Sequence, residues 1–491
     1  MKIVFLSLSL LITLLCSSQT EKELVESTVN KFKIEGQIYF LASDELRGRK
    51  TGTPEIDIAA AYLANAFRSY GVEPGDKENG YYQNVPFEKT SRAKSQSINL
   101  NDEILNDLIL FDKTNINFKG EAIYVGFGLS DDYKNKNVNG KIVLLEAGSS
   151  EKNEVRSALR FRKEKTKLAK ENGALGIIEL ISAEDEMWSR LDHNFNDEQL
   201  VMKSDLPNDD LLYIWLRKPE GKNVFYDNQK ANPVHIKMDG ISKEIIHSKN
   251  VIGIVKGTDE KLKNEFVIYS AHYDHNGVGK PNGTKDSIYN GARDNAVGTV
   301  TVLSAAENIA KFPTKRSALF ILFTGEEMGL LGSKWYVEHP VVPLNQSVFC
   351  FNSDNGGYND ISKATIIGLN RTSSAKHIVG AAKTFGLTAI DDPAAEQGLF
   401  DRSDNVSFAA KGIPAPTYSM GFTSFDEEIN KYYHQVTDHP ESLNYDYLEK
   451  FFKSYVLSCR LIANDPETPF WIKGDKYYEA GVKLFEKKLA N

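Results

Sequence analysis

The stretch from Phe266 to Gly298 limits the possible folds of this chain more than any other. It opens with the apolar run Phe266–Ala271, which has the length and β-branched character of a buried strand and stops at His272. After a loop rich in glycine and asparagine, Asp294 precedes a helical pattern. In open α/β sheets, ligands bind at the carboxyl ends of the strands. We therefore predict that His272 and Asp294 are two ligands of a metal centre, although an ordinary hydrogen-bonded pair would leave the same pattern.

Strand-like and helix-like runs alternate over the rest of the carboxy-terminal half of the chain. This alternation predicts an α/β fold with a mixed, mostly parallel sheet flanked by helices. The runs are Asn250–Val255, Ala318–Phe323, Leu330–Val337, Val348–Phe351, Ala364–Ile367 and Ala375–Phe385. Two helices are also predicted nearer the amino terminus, over Glu21–Phe32 and Glu55–Tyr70.

A chain of 491 residues exceeds one ordinary core, so two or three domains are expected. Short strand-like runs dominate residues 112–240, where no histidines, cysteines or paired carboxylates cluster at a catalytic spacing. We predict that this region is an inserted, β-rich, non-catalytic domain. Residues 19–111 would then be the amino-terminal part of the main domain, and residues 241–491 would be its catalytic part.

The first 18 residues have a short basic start, an apolar stretch and then small residues, which predicts a secretory signal peptide. The mature protein would be exported to the periplasm or the medium, with no integral membrane segment. Acylation of Cys16 is the alternative, but bulky Leu15 does not suit that processing. Removal of the signal leaves Cys350 and Cys459, which we predict to be buried free thiols.

The balance of basic and acidic residues limits which binding partners are expected. The 59 basic and 67 acidic residues give a net charge of −8. Such a balance disfavours nucleic acid and anionic membranes as the main partners. The composition, 41% hydrophobic and 26% charged, is that of a globular protein.

Three further segments could complete a metal site. The strand-like run Ser317–Phe323 leads to Glu326 and Glu327, and the run Val348–Phe351 leads to Asp354. A histidine, His434, stands in a loop-like segment near the carboxy terminus. Adjacent glutamates more often mark a solvated helix start, but their side chains diverge, so one can bind a metal while the other faces a bound water.

Two histidines and three carboxylates therefore remain as ligand candidates, with one glutamate to spare. Three protein ligands and a water would suit a single catalytic zinc. Five ligands with one shared carboxylate suit two metal ions about 3.5–4 Å apart, which activate a water and polarise a scissile carbonyl. The spare glutamate would then carry the proton.

These motifs resemble those of the M28 family, the co-catalytic zinc exopeptidases that include aminopeptidases and the glutamate carboxypeptidase group. The resemblance also covers LASDELRGRKTGT from Leu41, YYQNVPF from Tyr81 and YYHQVTDHP from Tyr432. The inserted region resembles a protease-associated (PA) domain in EAIYVGFGL, NVNGKIVLL and AKENGALGII.

The resemblance implies a role for each candidate and a cofactor of two Zn²⁺ ions. His272 and Asp354 would bind one zinc, Glu327 and His434 the other, and Asp294 would bridge both. It also implies that Glu326 is the general base, that Asp274 is the carboxylate that orients His272, and that the Asp294–Asn295 peptide bond is cis.

Other residues near these motifs carry less specific expectations. The family often has Asp where Arg293 stands, and we predict substrate contacts for Arg293, Arg402 and Tyr433. His275 and His439 are expected to be loop histidines and not ligands.

The resemblance implies a peptide substrate and favours an aminopeptidase that releases N-terminal residues. A dizinc carboxypeptidase or dipeptidase of the same family is the alternative, and it would need basic groups to hold a terminal carboxylate. Glutaminyl cyclisation is disfavoured because a one-metal relative should lack His272. A non-catalytic, receptor-like scaffold is disfavoured because all five ligand candidates and the base are present.

Overall fold

The computed structural model describes residues 19–111, 114–203, 211–218, 226–279 and 285–489. The predicted signal peptide, residues 1–18 with Cys16, lies outside these ranges. The described chain divides into two compact units. The first comprises residues 19–85 and 248–489, and the second lies within residues 86–247.

The helices and strands are named here in chain order. The helices are α1 Glu21–Glu26, α2 Lys31–Leu41, α3 Pro54–Tyr70, α4 Val155–Glu171, α5 Asp185–Asn196, α6 Gly298–Lys311, α7 Leu331–Glu338, α8 Ala375–Thr384, α9 Asn405–Ala409, α10 Glu427–Asn430, α11 Tyr445–Asn464 and α12 Tyr478–Leu489. The strands are β1 Glu73–Pro74, β2 Tyr82–Thr90, β3 Ser95–Leu100, β4 Glu103–Leu105, β5 Leu108–Leu110, β6 Ile116–Tyr124, β7 Ile142–Glu146, β8 Gly176–Ile181, β9 Gln199–Met202, β10 Leu212–Arg217, β11 Ala231–Asp239, β12 Lys243–Val255, β13 Phe266–His272, β14 Gly277–Val278, β15 Ile288–Tyr289, β16 Ser317–Phe323, β17 Ser347–Ser353, β18 Lys363–Ile367, β19 Thr388–Asp391 and β20 Thr417–Met420.

A mixed sheet forms the centre of the first unit, in the order β19-β18-β20-β17-β13-β16-β12-β2. Strand β13 pairs in parallel with both β16 and β17, and β17 pairs in parallel with β20. The pairs β12–β16 and β18–β20 are antiparallel. Helices α6 and α11 pack on one face, and α7 and α9 on the other. The predicted fold class, a mostly parallel sheet flanked by helices, is confirmed.

The central strands are buried because their side chains alternate between two cores. In β13, Val267 and Tyr269 pack in a core shared with α6 and α11. Ile268, between them, packs on the opposite face with Tyr336 of α7 and Phe408 of α9. A strand covered on both faces needs apolar residues at every position, which is why its sequence reads as a continuous apolar run. Because β13 pairs in parallel with both β16 and β17, the carboxyl ends of these three strands lie side by side at one edge.

The two predicted amino-terminal helices have different outcomes. Helix α3 confirms the prediction for Glu55–Tyr70, with Pro54 in its first turn and Gly71 at its end with φ +79°. The prediction of a single helix over Glu21–Phe32 is wrong, because the chain forms α1 and α2 with a break between them. The break arises because the Asn30 side chain accepts a hydrogen bond from the main-chain N–H of Lys33, 3.1 Å away, and starts a new helix.

The second unit contains an eight-stranded sheet in the order β4-β3-β11-β6-β7-β8-β10-β5. Strands β6, β7, β8 and β10 are parallel neighbours, and β3, β11 and β5 pair antiparallel. This unit begins before the predicted 112–240, because β3, β4 and β5 belong to the same sheet, and it ends at residue 247. Its resemblance to a PA domain stays a prediction.

Two further sequence predictions concern thiols and membranes. Cys350 and Cys459 are buried and free, as predicted. No helix within the described ranges is long and apolar enough to cross a membrane.

Candidate metal centre

The predicted site residues lie where the three central strands end. His272 is the last residue of β13, Asp354 directly follows β17, and Glu326 and Glu327 follow β16 after a short turn. Gly325 makes that turn with φ +71°, a left-handed conformation that glycine adopts without strain. Three distant segments are therefore brought together at one sheet edge.

Asp294 and His434 reach the same edge from outside the sheet. Asp294 lies in the helical turn that precedes α6, and its peptide bond to Asn295 is cis, as the resemblance implied. His434 lies in the loop after α10 with φ +53°, and its ring stacks on Tyr433 with the centroids 4.2 Å apart.

The donor atoms fall into two groups that share Asp294. In the first group, Nε2 of His272 is 3.3 Å from Oδ1 of Asp354 and 3.4 Å from Oδ1 of Asp294. In the second, Nε2 of His434 is 3.1 Å from Oδ2 of Asp294 and 3.3 Å from Oε2 of Glu327. The two oxygens of Asp294 thus face different histidines.

These separations can be tested against the geometry of zinc. Two ligand atoms that lie about 2.0–2.1 Å from one zinc in a tetrahedral arrangement are roughly 3.3 Å apart. All four distances above are close to that value, and nitrogen with carboxylate oxygen is a donor set that zinc accepts. The five side chains therefore fit as zinc ligands, in two groups that share Asp294.

The charge of the site also favours cations. Burial lowers the pKa of His272, but the negative charges of Glu326 and Asp354 and a hydrogen bond to Asp294 outweigh burial and hold this pKa well above its usual range. Burial raises the pKa of Glu326; His272 opposes that rise, and Asp354 adds to it. A buried group of carboxylates is expected to be paired with cationic groups or to bind a metal ion.

The resemblance implied that the carboxylate of Asp274 orients His272, but this carboxylate has other hydrogen-bond partners in the structure. The Nδ1 atom of His272 is 3.2 Å from the main-chain oxygen of Asp274, whereas the nearer carboxylate oxygen is 3.7 Å away. The buried carboxylate instead accepts hydrogen bonds from the main-chain N–H of Glu326 at 3.1 Å and from Oγ1 of Thr51 at 3.0 Å. Asp274 thus anchors the turn that carries the two glutamates.

Arg49 is a buried part of the site that sequence reasoning missed. Its guanidinium donates to the main-chain oxygens of Leu41, Tyr273 (2.9 Å), Asn290 (2.7 Å) and Gly291 (3.1 Å). Burial lowers its pKa to about 10, so the group is still charged at neutral pH. One side chain therefore ties together the segments that follow His272 and precede Asp294. The only sequence signal was its place in the family-like segment from Leu41.

Arg293 does not line the cavity at this edge, where substrate contacts were predicted for it. Its buried guanidinium is 3.0 Å from Oδ1 of Asp438, and its Cζ lies 3.6 Å from the ring centroid of Tyr432. The Asp438 carboxylate also accepts the main-chain N–H groups of Arg293 and Asp294. This pair therefore joins the backbone of Asp294 to the loop that follows His434.

Removing this cation should destabilise the protein. We expect Arg293→Leu to lower the free energy of unfolding by about 3–5 kcal/mol, because Asp438 would stay buried with no charged partner. Denaturant titration, monitored through the unfolding transition of the first unit, measures the change. Arg47→Leu is the matched control, since Arg47 is exposed and 3.6 Å from Glu55, and its effect should stay within about 0.5 kcal/mol. Equal effects of the two substitutions would contradict the assignment.

A cavity of about 440 Å³ opens beside the donor groups. Arg402 and Tyr433, for which substrate contacts were predicted, line it, and Nη2 of Arg402 lies 3.3 Å from the Tyr433 hydroxyl. The lining also includes the apolar side chains of Ile367, Leu399, Phe422, Phe425 and Ile429. The cavity can therefore hold an apolar group next to the donor atoms.

Histidine and carboxylate donors at the carboxyl edge of a mixed sheet define a metal-binding α/β domain. The family model of peptidase family M28 matches residues 250–457, which include all five donors. Residues 250–457 are thus similar to peptidase family M28, as the sequence motifs indicated.

Two curated relatives are similar over part of their length. Aminopeptidase YwaD of Bacillus subtilis is 30% identical over 207 residues, which are 41% of this chain and 42% of that protein. A probable leucine aminopeptidase 2 of Aspergillus oryzae is 25% identical over 235 residues, which are 44% and 45% of the two chains. The matched region spans less than half the length of each relative.

Solved structures share the fold over most of the chain. An aminopeptidase from Aneurinibacillus sp. strain AM-1 superposes with a TM-score of 0.61 and 21% identity, covering 91% of this chain and 97% of that one. A zinc aminopeptidase from Bacillus subtilis superposes with a TM-score of 0.53 and 20% identity, covering 89% and 97%.

Proposed function

We propose that the protein is an exported two-zinc exopeptidase that releases N-terminal residues from peptides. The observation that carries the proposal is the pair of donor groups that share Asp294, with Glu326 beside the first of them. Glu326, His272 and Asp354 each offer a donor atom within 4.8 Å of the others. The similarity to proteins described as aminopeptidases supports the direction of cleavage.

The residues of this chain would divide the work of peptide hydrolysis. Bound zinc ions supply Lewis-acid activation of a water and of the scissile carbonyl. Glu326 accepts a proton from the attacking water on its carboxylate and delivers it to the amine that leaves. Burial raises the pKa of Glu326, so its carboxylate holds a proton more readily than that of an exposed glutamate.

The charges around the cavity favour a free amine as the recognised end of the substrate. Glu326 and Asp354 line the cavity and attract an ammonium group, whereas Asp401, also in the lining, is paired with Lys476. The basic groups there are already engaged, since Nζ of Lys334 donates to the main-chain oxygen of Gly329 at 2.8 Å and Arg402 contacts Tyr433. A carboxypeptidase would have to redirect these two side chains to a terminal carboxylate.

One peptide in three forms tests the proposal. The free peptide and its C-terminally amidated form should be shortened from the amino end at similar rates, whereas N-acetylation should abolish cleavage. Mass analysis of the products identifies the end that is removed. Loss of C-terminal residues would establish the carboxypeptidase alternative, and intact peptides with zinc-loaded protein would support a non-catalytic scaffold.

A further inference from the structure

His275 is a buried histidine that lies against the second donor group. Its Nδ1 atom is 2.6 Å from Oε1 of Glu327, and its ring meets that of His434 edge to face with the centroids 5.8 Å apart. The main-chain N–H of His275 donates to the oxygen of Arg49 at 3.3 Å. A side chain at Gly291 would come within 2.6 Å of the ring, so the backbone there packs tightly on the imidazole. The ring is therefore held in place from several sides.

Two roles are compatible with this position, a metal ligand or a partner of a ligand. His275, Asp294 and Glu327 each offer a donor atom within 4.8 Å of the others, which permits the first role. The distance between Nδ1 of His275 and Oε1 of Glu327 distinguishes the two roles. Donors of one tetrahedral zinc are roughly 3.3 Å apart, whereas 2.6 Å is the length of a short hydrogen bond.

The two oxygens of Glu327 accordingly have different partners. Oε1 lies against His275, and Oε2 lies 3.3 Å from Nε2 of His434, the separation expected of two ligands of one ion. A hydrogen bond at Oε1 would keep that oxygen away from the metal and leave Oε2 to bind it. This is the role of residues that hold a metal-binding carboxylate in place.

The surroundings of the two ring nitrogens of His275 agree with this role. Its Nε2 is buried and has no hydrogen-bond partner among the described residues. With a hydrogen on Nδ1 and none on Nε2, the ring donates to Glu327 and leaves Nε2 as an acceptor, so that the ring has no buried N–H without a partner.

We propose that His275 is a positioning residue. Its Nδ1–H would hold Oε1 of Glu327, so that only Oε2 binds the zinc ion that His434 and Asp294 also bind. The inference rests on the proposed two-zinc function and adds a residue that was expected to be an ordinary loop histidine.

Two substitutions at this position separate the roles. In His275→Leu the ring is replaced by an apolar side chain that cannot donate, whereas in His275→Asn the side-chain amide places an N–H near the position of Nδ1 but provides no ring nitrogen to bind zinc. Zinc itself is the probe, and competition with a chelator on the full-length protein measures the affinity of each site. His439→Leu is the matched control, since His439 is a loop histidine 3.3 Å from Asp286.

We expect His275→Leu to weaken one of the two zinc sites about 10–100-fold and to leave the other unchanged. His275→Asn should stay close to the wild type. Wild-type affinity of both sites in His275→Leu would overturn the proposal, and so would an equal loss of one zinc in both variants, which would make His275 a ligand. The zinc content and peptidase activity of the wild type test the proposed function separately.

A second measurement on the wild type covers the case in which His275→Leu does not fold. In zinc-loaded protein labelled with ¹⁵N-histidine, the Nδ1–H resonance of His275 should be present, with His275→Asn used for its assignment. A zinc-bound Nδ1 would carry no proton, so the absence of that resonance after zinc loading would overturn the proposal.

Discussion

Glu326→Gln is expected to lower kcat for the release of an N-terminal residue by about 10²–10⁴-fold, with zinc content unchanged. The carboxylate of Glu326 lies beside His272 and Asp354, and the two-zinc assignment does not need it as a ligand. An amide cannot accept the proton of the attacking water, so the substitution should affect the chemical step and not metal uptake.

Steady-state kinetics and metal analysis of the same preparation check this expectation. Glu338→Gln is the matched control, because Glu338 is an exposed carboxylate at the end of α7 that is paired with Lys411 at 2.6 Å. The control should keep wild-type kcat. A turnover of Glu326→Gln within a few-fold of the wild type would refute the role of general base, and loss of zinc would make Glu326 a ligand.

His434→Ala is expected to reduce bound zinc from two equivalents to one and to lower turnover by orders of magnitude. Its imidazole is the only nitrogen donor assigned to the second ion, where it faces Asp294 and Glu327. The remaining carboxylates would bind that ion weakly, and a two-metal site acts by holding both ions together.

Metal analysis after dialysis measures the stoichiometry directly. His439→Ala serves as the control, since this nearby histidine contacts Asp286 and was predicted not to be a ligand. It should retain two equivalents of zinc. Two equivalents in His434→Ala as well would exclude His434 from the site, and loss of both would show that the two ions bind only together.

The candidate ligands could be predicted from the sequence because each stands next to a recognisable strand or motif. Continuous apolar runs identified β13, β16 and β17, and the residues after each run had to share one edge of a parallel sheet. The resemblance then related His434 to the same centre. The alternation of strands and helices likewise predicted the fold class, which the pairing of β13 with β16 and β17 confirms.

The residues that hold these ligands could not be predicted in the same way. Arg49 bonds to the main-chain oxygen of Tyr273 across 224 positions of the chain, and Arg293 pairs with Asp438 across 145. No local periodicity reports such contacts. Arg293 therefore looked like a substrate contact in the sequence, whereas its charge is used within the fold.

The sequence by itself determined the apolar strands, the places where they stop at acidic or imidazole side chains, and the similarity of residues 250–457 to peptidase family M28. Only the tertiary structure decided that Asp274 anchors the glutamate turn and that His275 contacts Glu327. The physical reason is the separation of the interacting residues along the chain. Apolar periodicity is a property of neighbouring residues. The partner of a buried polar group depends on differences of a few tenths of an ångström in the distances between segments that meet only after folding.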